Sequence, residues 1–379
     1  MFNFLKLLSC EHSLRLISVV DSQPPAEHQE ALRPYLQAAH SLYHPNSTLH
    51  TSGRILRSLI TGRPYILDRY CPPSLGPLIN QLASQAPCDA IFLAAHYLTN
   101  AAVQQINVPL VVDFHDITHV LYERFAQTPG SNLKKWHGRI QSRRMRKFEA
   151  GIPRRATTCI TTSPEDAATL ERISGETNIC VVPNGVDTQF NRTESVTKDA
   201  PYFDILFVGS FDYAPNIQAA QFLCKQVMPQ VWQVKPETQV GLVGRDPTPA
   251  VQQLARNACV QVTGRVLDIR PYLTNAALVA VPLLAGGGTR LKILEAMSMS
   301  KAVVSTTIGC EGLQLTDGVN VSLADTPQQL AEAILYLLHN PAERTRLGLA
   351  ARRVVETIYD WKIVGQQLQS VMHTAISAG

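Results

Sequence analysis

Residues 281–297 read VPLLAGGGTRLKILEAM, and this stretch decides the fold. An apolar run ends at Pro282. Gly286, Gly287 and Gly288 then bring bare backbone N–H groups up to a helix start at Thr289. A strand, a glycine turn and a helix in that order form half of a βαβ unit of a parallel sheet. Arg290 and Lys292 fall in the first helical turn, where cations oppose the helix dipole. They are costly there unless an anion is bound, so the segment reads as a diphosphate site. Glu295 follows further along the same helix, and its carboxylate can accept two hydrogen bonds from vicinal ribose hydroxyls. The plainer alternative is a flexible glycine loop with two solvated cations.

The same rhythm repeats on both sides. Downstream of residue 203, strands are expected at 204–208, 239–243, 260–262, 277–281, 302–305 and 320–323. Helices are expected between and after them at 216–228, 249–258, 268–274, 289–299, 327–338, 341–357 and 361–375. Upstream, strands at 15–20, 90–94, 109–114, 158–162 and 179–182 alternate with helices at 27–38, 75–85, 138–150 and 164–173. This alternation predicts an α/β protein with two doubly wound Rossmann-like domains. The turn-rich PNGVD at 183–187 and the polar stretch to Pro201 read as the linker. The expected division is therefore 1–182, a linker at 183–203, a second domain at 204–360 and a final helix within 361–379. Such sheets bind ligands beyond the carboxyl ends of their strands, so the site is expected in a cleft between the domains.

Two further strand ends carry candidate chemistry. At FVGSFDYAPN (207–216) a strand runs through Gly209 into a helix opened by Asn216, which suits a phosphate at a helix N-terminus or an ordinary strand–helix turn. No GxGxxG or GxxxxGK[ST] pattern occurs, so nicotinamide dinucleotide folds and P-loop enzymes have no support. At PLVVDFHDITH (109–119) an apolar strand ends in His115, Asp116 and His119. That is where a parallel sheet places catalytic groups. The alternatives are a capping Asp116 and surface histidines, the surface reading being the default for His119. Asp268 reads as the N-cap of the helix that follows it.

Composition limits the classes. The 379 residues predict two or three domains, and 45% hydrophobic with 17% charged residues exclude a disordered chain. Eight cysteines with no CxxC pair read as reduced thiols of a cytoplasmic protein, with no metal clip. No apolar run is long enough to span a bilayer, and the N-terminus lacks the features of a signal peptide. The net charge of +4 is uneven: residues 134–155 hold nine Lys or Arg against Glu149, a local +8. That run is a solvated face by default and a surface for anionic lipid headgroups as the functional reading, giving a peripheral location on the cytoplasmic membrane. Its thin aromatic content argues against nucleic acid.

The segments FVGSFDYAPN, VGLVGRDP, VTGRVLDIRPYL, VPLLAGGGTRLKILEAM and KAVVSTTIGCEGL resemble bacterial group 1 glycosyltransferases, the retaining, nucleotide-sugar-dependent family-4 enzymes of GT-B fold. The branch resembled is the sugar transferases of exopolysaccharide clusters. The likeness extends more weakly over VVDFHDITH, RRMRKFE, TTSPEDAATL and VVPNGVD. It implies a GT-B fold, with the two domains facing across the cleft, and a nucleotide-diphospho-sugar donor with a glycan or lipid-linked acceptor. No metal or other cofactor is implied. By family role Glu295 would bind the ribose, and Gly287, Gly288 and Thr289 would offer backbone amides to the diphosphate. Gly209 and Asn216 would face the phosphates and sugar, and Val266 would lie near the base. Arg290 and Lys292 would supply charge. His115 and Asp116 would face the transferred sugar and acceptor, and the last helix would cross back to the first domain.

Three departures qualify the resemblance. The family's Glu-x7-Glu pair has Gly287 in its first place. The loop after the first C-domain strand has Ser210 and Pro215 where many members carry Arg and Lys. The chain opens on what reads as the family's first helix, so the first strand and its glycine-rich loop are expected to be missing. A catalytically impaired paralogue acting as a binding or scaffold protein is therefore the alternative function. A GT-B sugar-nucleotide epimerase is a third, less well matched by GGGTRLK.

Overall fold

The computed structural model describes residues 2–45, 48–102, 108–127, 132–193, 199–286 and 289–378. The chain divides into two compact units, Met1–Pro183 with Gly365–Gly379, and Asn184–Val364.

In the first unit the strands are β1 (Arg15–Val20), β2 (Ala38–Tyr43), β3 (Ile91–Leu93), β4 (Leu110–Phe114), β5 (Thr158–Thr161) and β6 (Ile179–Val181). They form two parallel sheets, β1-β2 and β3-β4-β5-β6, rather than one doubly wound sheet. β1 and β2 pair with Arg15 opposite Ala38. Every residue of β4 and β5 is buried, as expected of parallel strands covered on both faces. Val112, Phe114, Cys159 and Leu170 centre this core. β2 was not expected: the helix read through 38 stops at Leu32, and a tight turn carries Pro34. Pro34 removes a backbone donor there. Without β-branched residues, AAHSLY carries little strand signal. Gly365–Gly379, the end of helix Trp361–Ser377, belongs to this unit. There Gln369 donates to the Leu7 carbonyl at 2.8 Å.

The second unit contains β7 (Phe203–Val208), β8 (Val240–Val243), β9 (Val260–Gly264), β10 (Ala276–Val281), β11 (Val303–Ser305) and β12 (Ser322–Leu323). They make one parallel sheet in the order β12-β11-β10-β7-β8-β9. Ile205, Leu206, Phe207, Leu278 and Val281 are fully buried in it. Each such side chain contributes about 1.5–3 kcal/mol by burial. The order reverses between β7 and β10, which is the switch point where such sheets open a ligand crevice. The helix expected at 216–228 is instead Ala214–Phe222, a π-turn Leu223–Val227 and Met228–Val234. Pro229 is the cause, since it lacks an N–H and its ring clashes with the carbonyl four residues back. The segment read as a linker starts as packed structure. Val186 is 5% exposed in the second core, and its N–H bonds the Tyr359 carbonyl. Among the described residues no helix is long and apolar enough to cross a membrane.

Candidate functional site

β7 and β10 are neighbours, with Val279 opposite Leu206, so the loops leaving their carboxyl ends meet. From β7 the chain passes Gly209 and Ser210 into the helix Ala214–Phe222, which therefore opens two residues before Asn216. Asn216 is buried, and its Nδ2 donates to the Ser210 carbonyl at 2.9 Å. From β10 the chain reaches the helix Leu291–Ser298, with Arg290 at its N-cap position. Lys292 Nζ donates to Asn216 Oδ1 at 2.7 Å, which ties the two loops together. The ammonium also lies 4.7 Å from the centre of the Phe207 ring, a cation–π geometry. Gly209 leaves room for this approach: a Cβ there would stand 3.1 Å from Asn216 Cγ and 3.2 Å from Lys292 Nζ, tight contacts that would press both side chains back.

The electrostatics of this cluster are unusual. Burial, with the Arg290 cation beside it, lowers the Lys292 pKa to about 7, and Glu295 opposes the shift. Burial raises the Glu295 pKa to about 7 against the pull of Lys292. Arg290 is 6% exposed, and its Nη2 reaches the Ile308 carbonyl at 3.4 Å on the loop after β11. The Thr289 hydroxyl is buried with no hydrogen-bond partner among the described residues. Gly287 and Gly288 lie outside those residues. Val266 is half-buried against the second core, after Gly264 turns the chain at φ +71°. Asp268 accepts the Arg270 backbone N–H at 2.9 Å and pairs with the Arg270 guanidinium, closing the turn before the helix Arg270–Thr274.

In the first unit, the loop after β4 carries His115 and Asp116. His115 is exposed, and its Nδ1 lies 3.3 Å from Oδ2 of the buried Asp113. Burial lifts the Asp113 pKa to about 7. Asp116 is half-buried, and desolvation raises its pKa while the Thr118 hydroxyl, 3.2 Å away, pulls it back. His119, read as an unremarkable histidine, is 4% exposed, and its Nδ1 lies 2.5 Å from Glu149 Oε2.

Three residues here escaped the sequence reading: Asp113, His96 and Glu149. Glu149 looked like the one counter-charge in the basic run, yet it is 0% exposed. It falls on the same helix face as the buried Ser142 and Met145, successive spacings of three and four that could have flagged it. The rest of the basic helix Asn132–Ala150 turns outward: Trp136, Arg139, Arg143, Arg146 and Lys147 are exposed. Arg144 does not share that face and donates to the Ser58 carbonyl at 2.9 Å.

Comparison with known proteins gives the family and the fold of the chain. A family model described as "Glycosyl transferases group 1" matches residues 202–340, and one described as "Glycosyltransferase Family 4" matches 19–190. Among curated relatives, an uncharacterized 44.6 kDa protein in the cps region of Klebsiella pneumoniae is 25% identical over 42% of this chain and 44% of its own length. A GDP-mannose-dependent monoacylated alpha-(1-6)-phosphatidylinositol monomannoside mannosyltransferase of Corynebacterium glutamicum is 28% identical over 39% of this chain and 42% of its own length. The chain thus matches less than half the length of either relative. The fold is that of sucrose-phosphate synthase from Thermosynechococcus elongatus, with TM-score 0.71, 18% identity, and 100% of this chain and 92% of that one covered. It is also that of Anabaena HepE, solved in complex with UDP, with TM-score 0.63, 17% identity, and 96% and 100% covered. The two family matches take in most of both parallel α/β units, including paired β7 and β10, and the chain belongs to the group 1 glycosyltransferases of GT-B fold.

Proposed function

We propose that the protein transfers a sugar from a nucleotide-diphospho-sugar to a hydroxyl acceptor, with retention, in the synthesis of exopolysaccharide or another cell-surface glycan. The observation that carries this reading is the 2.7 Å contact of Lys292 with Asn216 at the switch point. It gathers an ammonium, Arg290, a helix start and the Glu295 carboxylate where a parallel sheet binds ligands. Anabaena HepE was solved with UDP-glucose, and the corynebacterial relative is named for GDP-mannose, which supports a nucleotide-sugar donor. The cps region of the Klebsiella relative supports a surface polysaccharide.

In this reading the bond from the anomeric carbon to the diphosphate breaks, and its electron pair leaves with the phosphate oxygen. Positive charge develops on the sugar and negative charge on the leaving group. Arg290, Lys292 and the amides at the helix start stabilise that negative charge. The acceptor hydroxyl oxygen forms the new bond to the anomeric carbon, and its proton passes to the departing phosphate oxygen. His115 and Asp116, with Asp113 behind His115, are assigned to the transferred sugar and acceptor. Glu295 holds the ribose without the first carboxylate of the family pair, whose place is Gly287. The exposed Trp136 and the cations beside it favour a further role for that helix, docking on anionic lipid.

The test is a panel of nucleotide sugars assayed for transfer and hydrolysis, with the anomeric configuration of the product read by NMR. Lys292→Ala should lose most turnover. Near-normal transfer by that variant would overturn the diphosphate assignment, and donor binding without turnover in the parent would identify the non-catalytic alternative.

A further inference from the structure

The carboxylate of Glu149 gathers three donors. Its Oε1 accepts the Thr118 backbone N–H at 2.9 Å and lies 3.3 Å from His96 Nε2, and its Oε2 lies 2.5 Å from His119 Nδ1. His96 follows β3 and is stacked on Phe114 of β4, centroids 4.6 Å apart and planes within 3°. Thr118 Oγ1 is 3.2 Å from His96 Nε2 and 3.2 Å from Asp116 Oδ1. A continuous buried path therefore runs from Glu149, through His96 and Thr118, to Asp116 at the carboxyl edge of the sheet.

Its polarity follows from donor and acceptor chemistry. An ionised carboxylate only accepts. Burial works against that ionised form, but the hydrogen bonds from His119 and His96 outweigh it and hold the Glu149 pKa below its ordinary value. His119 then carries its proton on Nδ1 and His96 on Nε2. With the His96 N–H facing its oxygen, Thr118 points its own O–H at Asp116. Packed apolar residues would hold these elements together at less cost than a buried charge. What the carboxylate adds is direction.

We propose that Glu149 is a positioning residue: it fixes the tautomers of His96 and His119 and, through His96 and Thr118, presents Asp116 as an oriented hydrogen-bond acceptor. This rests on the reading that Asp116 serves the transfer reaction. Glu149 itself touches no substrate.

The test uses the full chain. Glu149→Gln has the same shape but sets an amide N–H2 against one of the two imidazole donors. It should lower kcat by about ten- to a hundredfold, with KM for the donor and affinity for UDP, the binding probe, within twofold of the parent. Asp116→Asn should lose kcat likewise, and the double variant should be no worse than Asp116→Asn alone. Thr118→Val keeps the backbone N–H to Glu149 but cuts the hydroxyl link, so it should reproduce the loss even if Glu149→Gln does not fold. Nitrogen-15 NMR of labelled histidines should find Nδ1–H on His119 and Nε2–H on His96. Full kcat in Glu149→Gln or Thr118→Val, losses additive with Asp116→Asn, or the opposite tautomers would overturn the proposal. Full turnover in Asp116→Asn would instead overturn the catalytic reading of Asp116 while leaving the tautomer result standing.

Discussion

Donor binding should change its proton balance in sign across neutral pH. Lys292 and Glu295 each have a pKa of about 7 in the free site. The proposed complex needs Lys292 charged against the diphosphate and Glu295 ionised against the ribose. At pH 8 Glu295 is already ionised and Lys292 mostly neutral, so binding takes up nearly one proton. At pH 6 Lys292 is already charged and Glu295 mostly protonated, so binding releases nearly one. At pH 7 each group is half-titrated, so uptake and release cancel, and the exchange amounts to about half a proton moved from Glu295 to Lys292. By linkage, affinity falls on the alkaline side as the lysine loses its proton and on the acid side as the glutamate gains one. With both groups at about 7, Kd should rise about threefold at pH 6 and 8 relative to pH 7, and about 25-fold at pH 5 and 9, or ~1.9 kcal/mol. The donor's diphosphate carries no titrating proton in this window. Calorimetry with UDP-glucose or GDP-mannose, whichever binds, in buffers of different ionisation enthalpy reads the proton count directly. Lys292→Met should remove the alkaline limb and Glu295→Gln the acid limb. Proton exchange of the same sign at pH 6 and 8, or none at either, would refute the reasoning.

Three other outcomes follow from the geometry. Gly244→Ala should cost about 3 kcal/mol or more in urea unfolding, because its Cβ would stand 1.7 Å from the Gly209 carbonyl oxygen at a φ of +153°. Asp268→Ala should cost about 1 kcal/mol of stability and leave donor affinity unchanged, since the hydrogen bonds its carboxylate accepts come from Arg270 within the 268–270 turn. Vesicles containing anionic lipid should retain the protein in flotation while neutral vesicles do not, and replacing Arg139, Arg143 and Arg146 by Glu should abolish the difference; equal behaviour in both vesicle types would remove the membrane role.

What the sequence revealed depended on burial. Strands 110–114, 158–161 and 203–208 are covered on both faces, so they read as continuous apolar runs with turn residues at their ends. β1, half-exposed throughout, was still legible from its Leu, Ile and Val residues. β2 was not, because four of its six positions are Ala, His and Ser, which carry no strand preference, and its Tyr43 falls on the exposed side of the alternation. The candidate residues at the ends of β7 and β10 were legible for a related reason. A glycine or an apolar run ending in charged residues marks a strand's carboxyl end without knowledge of what packs beside it. His96, Asp113 and Glu149 needed that knowledge, since their chemistry comes from partners on three separate elements. Glu149 is 53 residues from His96 in the chain and 3.3 Å from it in space.

The same neighbour relation bears on the departures from the family pattern. Many members carry cations on the loop after the first strand of this sheet, where this chain has Ser210 and Pro215. Neighbouring strands lie about 4.8 Å apart, so groups rooted at the ends of β7 and β10 reach a common point. Lys292, rooted after β10, comes within 3.2 Å of where a Cβ on Gly209, rooted after β7, would stand. In the proposed reading, charge lost from one loop is supplied from the other, and the absence of a side chain at Gly209 leaves room for it. The move has a physical consequence. A lysine on an exposed loop keeps its ordinary charge, whereas Lys292 is set against Phe207, beside Arg290, and shares its proton range with Glu295. Relocating the cation into the helix start thus makes its charge depend on the ligand, so that the anion it binds is also what keeps it ionised.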